Sequence, residues 1–294
     1  MLDHYLTATE NSTNVLKKLA GYLFFGLFKL APARIGPWLM RLFFRPGIAI
    51  QGEHEKAIWS TGNAFEFESH GRLIRGRYWS DGPGVLMVHG WDGRGSQFHR
   101  LVAPIVAAGY RAIAFDAPAH GESAGLETNY FEYTDAVRHL LRGDAGMPVV
   151  KVVAHSFGAA ATINAIDKEG LAPDLLLIAP ALHLEEFLHA SFQRHGIPFG
   201  LFREVIGSLE RRYGYDFHRD NPKRLIRRLA QSCVILHDEF DRLVPIEQSR
   251  AAAEENSLIS LQPTRNLGHT RILKSDSAIA AVNGYLLEQL PEAS

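Results

Sequence analysis

Cysteine is nearly absent from this chain: Cys233 is the single one among 294 residues. A lone cysteine closes no intrachain disulfide and builds none of the cysteine-based zinc sites, and such sparing use favours a reducing compartment. Surplus charge is missing as well. Lys and Arg number 31 against 32 Asp and Glu, a net charge of -1 with an isoelectric point near 6.9. That balance provides neither the basic stripe of a nucleic-acid binder nor an acidic tail. The uncharged run within the most apolar stretch, residues 19–28, falls short of the about 20 residues needed to cross a bilayer. No GxxxxGK[ST] phosphate loop and no GxGxxG fingerprint occurs, so no nucleotide cofactor is expected. Internal repeats and low-complexity tracts are likewise lacking.

What is present fits a globular protein, with 46% hydrophobic and 21% charged residues. At roughly 150 residues per domain the length suggests two domains, or one α/β domain carrying an insertion. Residues 1–50 form an N-terminal helical segment whose stretch Val15 to Leu30 is the most apolar in the protein. Leu16, Leu19, Leu23, Leu27 and Leu30 recur at helical spacing, and Phe24 and Phe28 widen the stripe. Lys17, Lys18 and Lys29 sit near its ends, followed by Arg34, Arg41 and Arg45. Such a helix packs on the body of the protein or on a second copy, lies on an anionic membrane surface, or belongs to a leader cut near Ala31-Pro32-Ala33. Lys29 interrupts the apolar run a leader requires. The expectation is a cytoplasmic protein, with peripheral membrane contact or self-association through residues 15–30.

Further along, Ala64 to Ser69 and Leu73 to Trp79 read as two strands joined by a tight turn at His70-Gly71. From Val85 onward short apolar runs alternate with helical stretches. The runs are Val85 to His89, Ala112 to Phe115, Val149 to Ala154, Leu175 to Ala179, Val234 to Leu236 and Leu258 to Leu261. Rich in Val, Ile and Leu without polar alternation, they suit strands buried on both faces of a parallel sheet flanked by helices. About forty residues separate Pro180 from Asn221-Pro222, too many for a structureless loop. They carry Phe187, Phe192, Phe199, Phe202, Tyr213, Tyr215 and Phe217 and are read as a small helical cap. The expected division is therefore an α/β core of residues 51–180 and 221–294 with a cap at 181–220.

Val152-Val153-Ala154-His155-Ser156-Phe157-Gly158 joins a buried strand to a small-residue helix start. On such a strand-to-helix elbow a serine oxygen stands exposed above the sheet, and small neighbours let the two backbones approach. The same residues would also suit a serine that merely caps the helix. Three further segments give it company. Val88-His89-Gly90-Trp91-Asp92-Gly93 ends an earlier strand, His237-Asp238-Glu239-Phe240-Asp241 with Val244-Pro245 ends a later one, and Gly268-His269-Thr270 follows the last. Asp241 comes 85 residues after Ser156 and 28 before His269, in the Ser, Asp, His order of nucleophile-elbow hydrolases.

Together these motifs resemble the α/β-hydrolase superfamily, from roughly Ala64 to the C-terminus. Asp116-Ala117-Pro118-Ala119-His120-Gly121-Glu122-Ser123 is similar to the loop after that family's fourth strand. The family's elbow usually has glycine where Ala154 stands here. The resemblance implies an α/β-hydrolase fold with Ser156 as nucleophile, His269 as the base that takes and returns its proton, and Asp241 as the group holding the imidazole. It also implies an oxyanion hole from the backbone N–H groups of Trp91 and Phe157. Asp238 is the rival acid; Asp241 is preferred because it stands four residues before Pro245, as in the family's Asp-x-x-Val-Pro arrangement. His89, His120, His155 and His237 read as structural. His183, His189, His195 and His218 in the cap lack a carboxylate pattern for a metal, and no metal or other cofactor is expected.

A serine nucleophile implies acyl transfer through an acyl-enzyme. Within the family it argues against the haloalkane dehalogenases and epoxide hydrolases, which attack with a carboxylate. Carboxylic ester hydrolysis is the least demanding reaction left, and an aromatic cap suggests an apolar acyl substrate. The alternatives are a serine peptidase or amidase, a thioesterase, and a non-catalytic binding protein of the same fold. Glu185-Glu186, the adjacent acidic pair of the cap, reads as a solvated helix face rather than a peptide-ammonium site.

Overall fold

A computed structural model describes residues 15–31, 34–35, 43–144, 146–194 and 196–287. The first helix, α1, spans Val15–Leu30, and α2 spans Glu53–Thr61. A hairpin follows, β1 (Asn63–Ser69) and β2 (Arg72–Trp79). His70 and Gly71 both take positive φ, 51° and 69°, and Ser69 pairs with Arg72, so the turn is the expected two-residue one. Then come β3 (Gly84–Val88), α3 (His99–Ala107), β4 (Arg111–Asp116), α4 (Tyr130–Leu141), β5 (Val149–His155), α5 (Phe157–Glu169) and β6 (Asp174–Ile178). Two helices, α6 (Leu184–Arg194) and α7 (Phe199–Tyr213), occupy the insertion. The chain continues through α8 (Pro222–Leu225), β7 (Cys233–Asp238), α9 (Glu247–Glu255), β8 (Ile259–Thr264), α10 (Gly268–Arg271) and α11 (Asp276–Leu287).

All eight strands join one sheet in the order β1-β2-β4-β3-β5-β6-β7-β8. β2 runs antiparallel to both neighbours; from β4 to β8 every pairing is parallel. Every residue of β3 is buried, as are the last five of β5 and the last four of β6, because helices cover both faces. On one face Val85, Met87, Val153, Leu176, Ile178, Val234 and Leu236 pack with Phe98, Leu101 and Ile105 of the α3 region and with Val282 and Tyr285 of α11. β8 departs from the expected double burial. Only its first residue is buried, because it is an edge strand. Local signals set the helix ends: the Asn129 side chain accepts from the N–H groups of Phe131 and Glu132 at the start of α4, and Gly170 closes α5 at φ 62°.

The chain divides into two compact units, Pro46–Leu182 with Pro222–Ser294, and Met1–Arg45 with His183–Asn221. The described N-terminal residues through Arg45 thus share a unit with the insertion, whereas residues 46–50 belong with the sheet. The reason is local packing. Gly21 of α1 lies so close to the Gly196 carbonyl that a Cβ at Gly21 would come within 1.7 Å of its oxygen, and the Phe25 ring lies against Gly200. Phe192, Phe202, Tyr215 and Phe217 are buried in this unit. Phe192 stacks on Phe43 with ring centres 4.5 Å apart and meets Phe202 edge-on at 5.2 Å. Much of the insertion's aromatic content therefore forms that unit's own core. No described helix is long and apolar enough to cross a membrane. The expected leader site at residues 31–33, Arg41 and His195 fall wholly or partly outside the described residues.

Candidate active site

The parallel strands bring their carboxyl ends to one edge of the sheet, where ligands bind in open α/β sheets. Ser156 is the residue between β5 and α5. Its backbone holds φ 53° and ψ -119°, a conformation that a residue with a Cβ seldom adopts. Four bonds fix it: the Ser156 N–H donates to Ile178 O at 3.0 Å, and its carbonyl accepts from Ala159, Ala181 and Ala160 at 3.1, 3.2 and 3.3 Å. The hydroxyl makes no cap bond to α5. It donates instead to His269 Nε2 at 2.8 Å.

His269 Nδ1 lies 2.6 Å from Asp241 Oδ2. An ionised carboxylate only accepts, so Nδ1 carries the ring proton and Nε2 presents the lone pair that faces Ser156. Asp241 is buried. Its Oδ1 accepts from the Leu243 and Val244 N–H groups at 2.8 and 2.9 Å. Burial acts to raise this carboxyl, but the His237 and His269 rings, 3.5 and 2.6 Å away, and the Val244 N–H outweigh it and hold Asp241 well below the ordinary carboxylate value. Asp238 is occupied differently, accepting from the Phe240 and Leu267 N–H groups and the Thr264 hydroxyl. It braces the loops after β7 and β8; the structure brings Asp241, not Asp238, to His269.

The backbones around the elbow approach closely. A Cβ on Gly158 would lie 2.1 Å from the His89 carbonyl oxygen, and one on Gly90 would lie 3.0 Å from Ser156 Cβ. Glycine at 158 thus lets α5 start against the end of β3, and Gly90 brings the Trp91 loop beside the serine. Among the described residues neither the Trp91 nor the Phe157 backbone N–H donates to another protein group. The Phe157 ring is buried amid Trp91, Tyr133 and Tyr130, with centres 5.1, 5.4 and 5.9 Å away.

Four histidines brace this edge. His155 Nε2 donates to the His269 carbonyl at 3.0 Å, and burial, then the neighbouring His269, push its imidazole down to about 3. His89 donates from Nδ1 to Gly90 O at 2.7 Å and accepts at Nε2 from the Ala117 N–H at 3.0 Å, linking the loops after β3 and β4. His120 donates to Pro118 O, and burial lowers it to about 4. His237 donates to Val244 O at 2.9 Å and accepts from the Ser249 hydroxyl at 2.7 Å, fixing the Asp241 loop.

Other supports have no short sequence signature. The Tyr133 hydroxyl donates to the His89 carbonyl. Asp116, fully buried, accepts from the Gly95 and Glu122 N–H groups, both at 2.7 Å, and ties the two loops again. Asp92 accepts from the Gly47 N–H at 2.5 Å. Among the described residues no group of three or more His, Cys, Asp or Glu is placed to hold a metal ion. In general, a hydroxyl bonded to an imidazole that a carboxylate holds can lose its proton as it attacks a carbonyl carbon.

Residues 85–282 match the sequence model of the Alpha/beta hydrolase family, and the chain belongs to that family. A curated relative, the non-heme chloroperoxidase CPO-A1 of Kitasatospora aureofaciens, is 33% identical over 94 residues, which are 31% of this chain and 34% of that protein. The match therefore spans about a third of that relative's length. Among solved structures, the Pyrococcus furiosus esterase Pf2001 is similar with a TM-score of 0.59 at 17% identity, over 82% of this chain and 98% of that one. Est1E of Butyrivibrio proteoclasticus, with ferulic acid bound, gives 0.58 at 14% identity over 76% and 98%. The thioesterase domain from the curacin biosynthetic pathway gives 0.55 at 16% identity over 77% and 99%. At these identities the structural likeness concerns the fold.

Proposed function

We propose that the protein is a serine hydrolase that cleaves a carboxylic ester. The observation that carries this reading is the unbroken bond chain from Ser156 Oγ to His269 to Asp241, 2.8 and 2.6 Å. Ser156 Oγ attacks the ester carbonyl as its proton passes to His269 Nε2; Asp241 stabilises the imidazolium and stays ionised. The N–H groups of Trp91 and Phe157 receive the oxyanion, a contribution typically worth about 10²–10³ in rate per donor. His269 returns the proton to the departing alcohol, and the C–O bond breaks to leave the acyl group on Ser156. Water then enters by the same route, releasing the acid and restoring the hydroxyl.

Esters are favoured over amides because an alcohol leaves the tetrahedral intermediate more readily than an amine, although the one proton this relay returns serves either. Esterases stand among the structural neighbours; so does a thioesterase, which makes thioesters the second class to assay. The substrate is taken to be a small apolar acyl compound, and the protein to act in the cytoplasm. Turnover of p-nitrophenyl esters of graded chain length, beside acyl thioesters and anilides, tests the reading. Ester turnover that vanishes in Ser156→Ala, in a protein with an unchanged melting temperature, is the expected result. Undiminished turnover in that variant would overturn it.

A further inference from the structure

Helix α1 is apolar on two sides, and the structure accounts for one of them. Its inner side packs within its own unit through Gly21, Phe25 and Phe28. Its other side exposes Tyr22, Leu23, Leu27 and Leu30 at 64, 72, 53 and 84%. Leu23, Leu27 and Leu30 follow the i, i+4, i+7 spacing of a single helix face, and Gly26 between them meets nothing within 4 Å. A helix with two apolar sides calls for apolar surroundings on both.

The charge around this face has one sign. From Asn11 to Gly52 the sequence has six basic residues, Lys17, Lys18, Lys29, Arg34, Arg41 and Arg45, and no Asp or Glu. Lys29 pairs with Glu204 inside its unit, while Arg34 and Arg45 are exposed. We propose that the exposed face of α1 docks on an anionic lipid surface, lying in the interface with Leu23, Leu27 and Leu30 in the acyl boundary. The charge complement favours lipid over a second copy of the chain, because two copies meeting through α1 would bring their basic segments together. The 16-residue length of α1 favours lying on the bilayer over crossing it. This surface is independent of the hydrolase reading.

The test is flotation of the full chain with vesicles of three parts phosphatidylcholine to one part phosphatidylglycerol, beside pure phosphatidylcholine. Binding to the anionic vesicles is expected, weakened about tenfold or more on the neutral ones and in high salt. Leu23→Glu with Leu27→Glu is expected to lower binding by a similar factor at an unchanged melting temperature, and Arg34→Glu with Arg45→Glu to reduce it in the native apolar background. Absence of binding to the anionic vesicles, or equal binding to both compositions, overturns the proposal. A dimer seen by light scattering that the leucine substitutions turn into a monomer would give the face to a second copy instead.

Discussion

Two aspartates three positions apart have opposite surroundings. Asp241 faces His269, whereas Asp238 is saturated by loop N–H groups and the Thr264 hydroxyl. Asp241→Asn leaves the loop but removes the acceptor that keeps His269 in the Nδ1–H tautomer. It is expected to lower ester kcat about 10³–10⁴-fold with little change in melting temperature. Asp238→Asn is expected to act on stability, by about 1–3 kcal/mol, through donors left without a full partner. Steady-state turnover and thermal melts of both variants separate the roles; the reverse ranking would transfer the acid to Asp238. His155 illustrates a different kind of support. It touches the His269 backbone rather than its ring nitrogens, and it is held neutral by burial, so it positions a partner and relays no proton.

The elbow depends on two elements meeting almost without side chains. With a Cβ on Gly158 only 2.1 Å from the His89 carbonyl oxygen, Gly158→Ala must push α5 away from the end of β3. The expected cost is about 1–3 kcal/mol, read as a lowered melting temperature, with Ser156 displaced and ester kcat reduced in the folded fraction. A melting temperature equal to that of the native protein would show that the contact yields. This meeting was legible in the sequence, since strand, serine and small residues are consecutive, and so were the segments that carry Asp241 and His269. The supports were not. Tyr133 reaches His89, and Asp92 reaches Gly47, across 44 and 45 positions with no motif between them. The β8 edge is not legible in the sequence because Leu258 to Leu261 is rich in Leu and Ile like an interior strand, and only the sheet order makes it an edge. Likewise the aromatic count of the insertion suggested a substrate pocket, while Phe192 and Phe202 pack with each other in their own unit.

For the chain as a whole, the buried histidines set the response to acid. His155 and His120 are lowered by burial to about 3 and about 4, and His89 is also pushed far down by burial. In the unfolded chain these rings protonate near about 6.5. Between that value and about 4 the unfolded state therefore binds more protons, and stability falls on acidification by at most about 1.4 kcal/mol per pH unit for each of His155 and His120, with His89 acting in the same direction. Asp116, raised by burial, opposes this by taking up a proton in the folded state, but it is one group against three. Urea midpoints are expected to drop between about pH 7 and about pH 5; a flat or rising midpoint would contradict the burial of neutral imidazoles. None of this touches Ser156 directly. Cys233 is buried, with its thiol pushed up to about 12 by burial, so it does not compete with Ser156 for an electrophile. Labelling of the intact protein with a fluorophosphonate, located by peptide mass spectrometry beside the Ser156→Ala variant, reports the activated hydroxyl without knowledge of the substrate. One adduct confined to Ser156, and none in the variant, is the predicted result; well-folded protein that takes up no probe, or takes it up elsewhere, would contradict a nucleophilic Ser156.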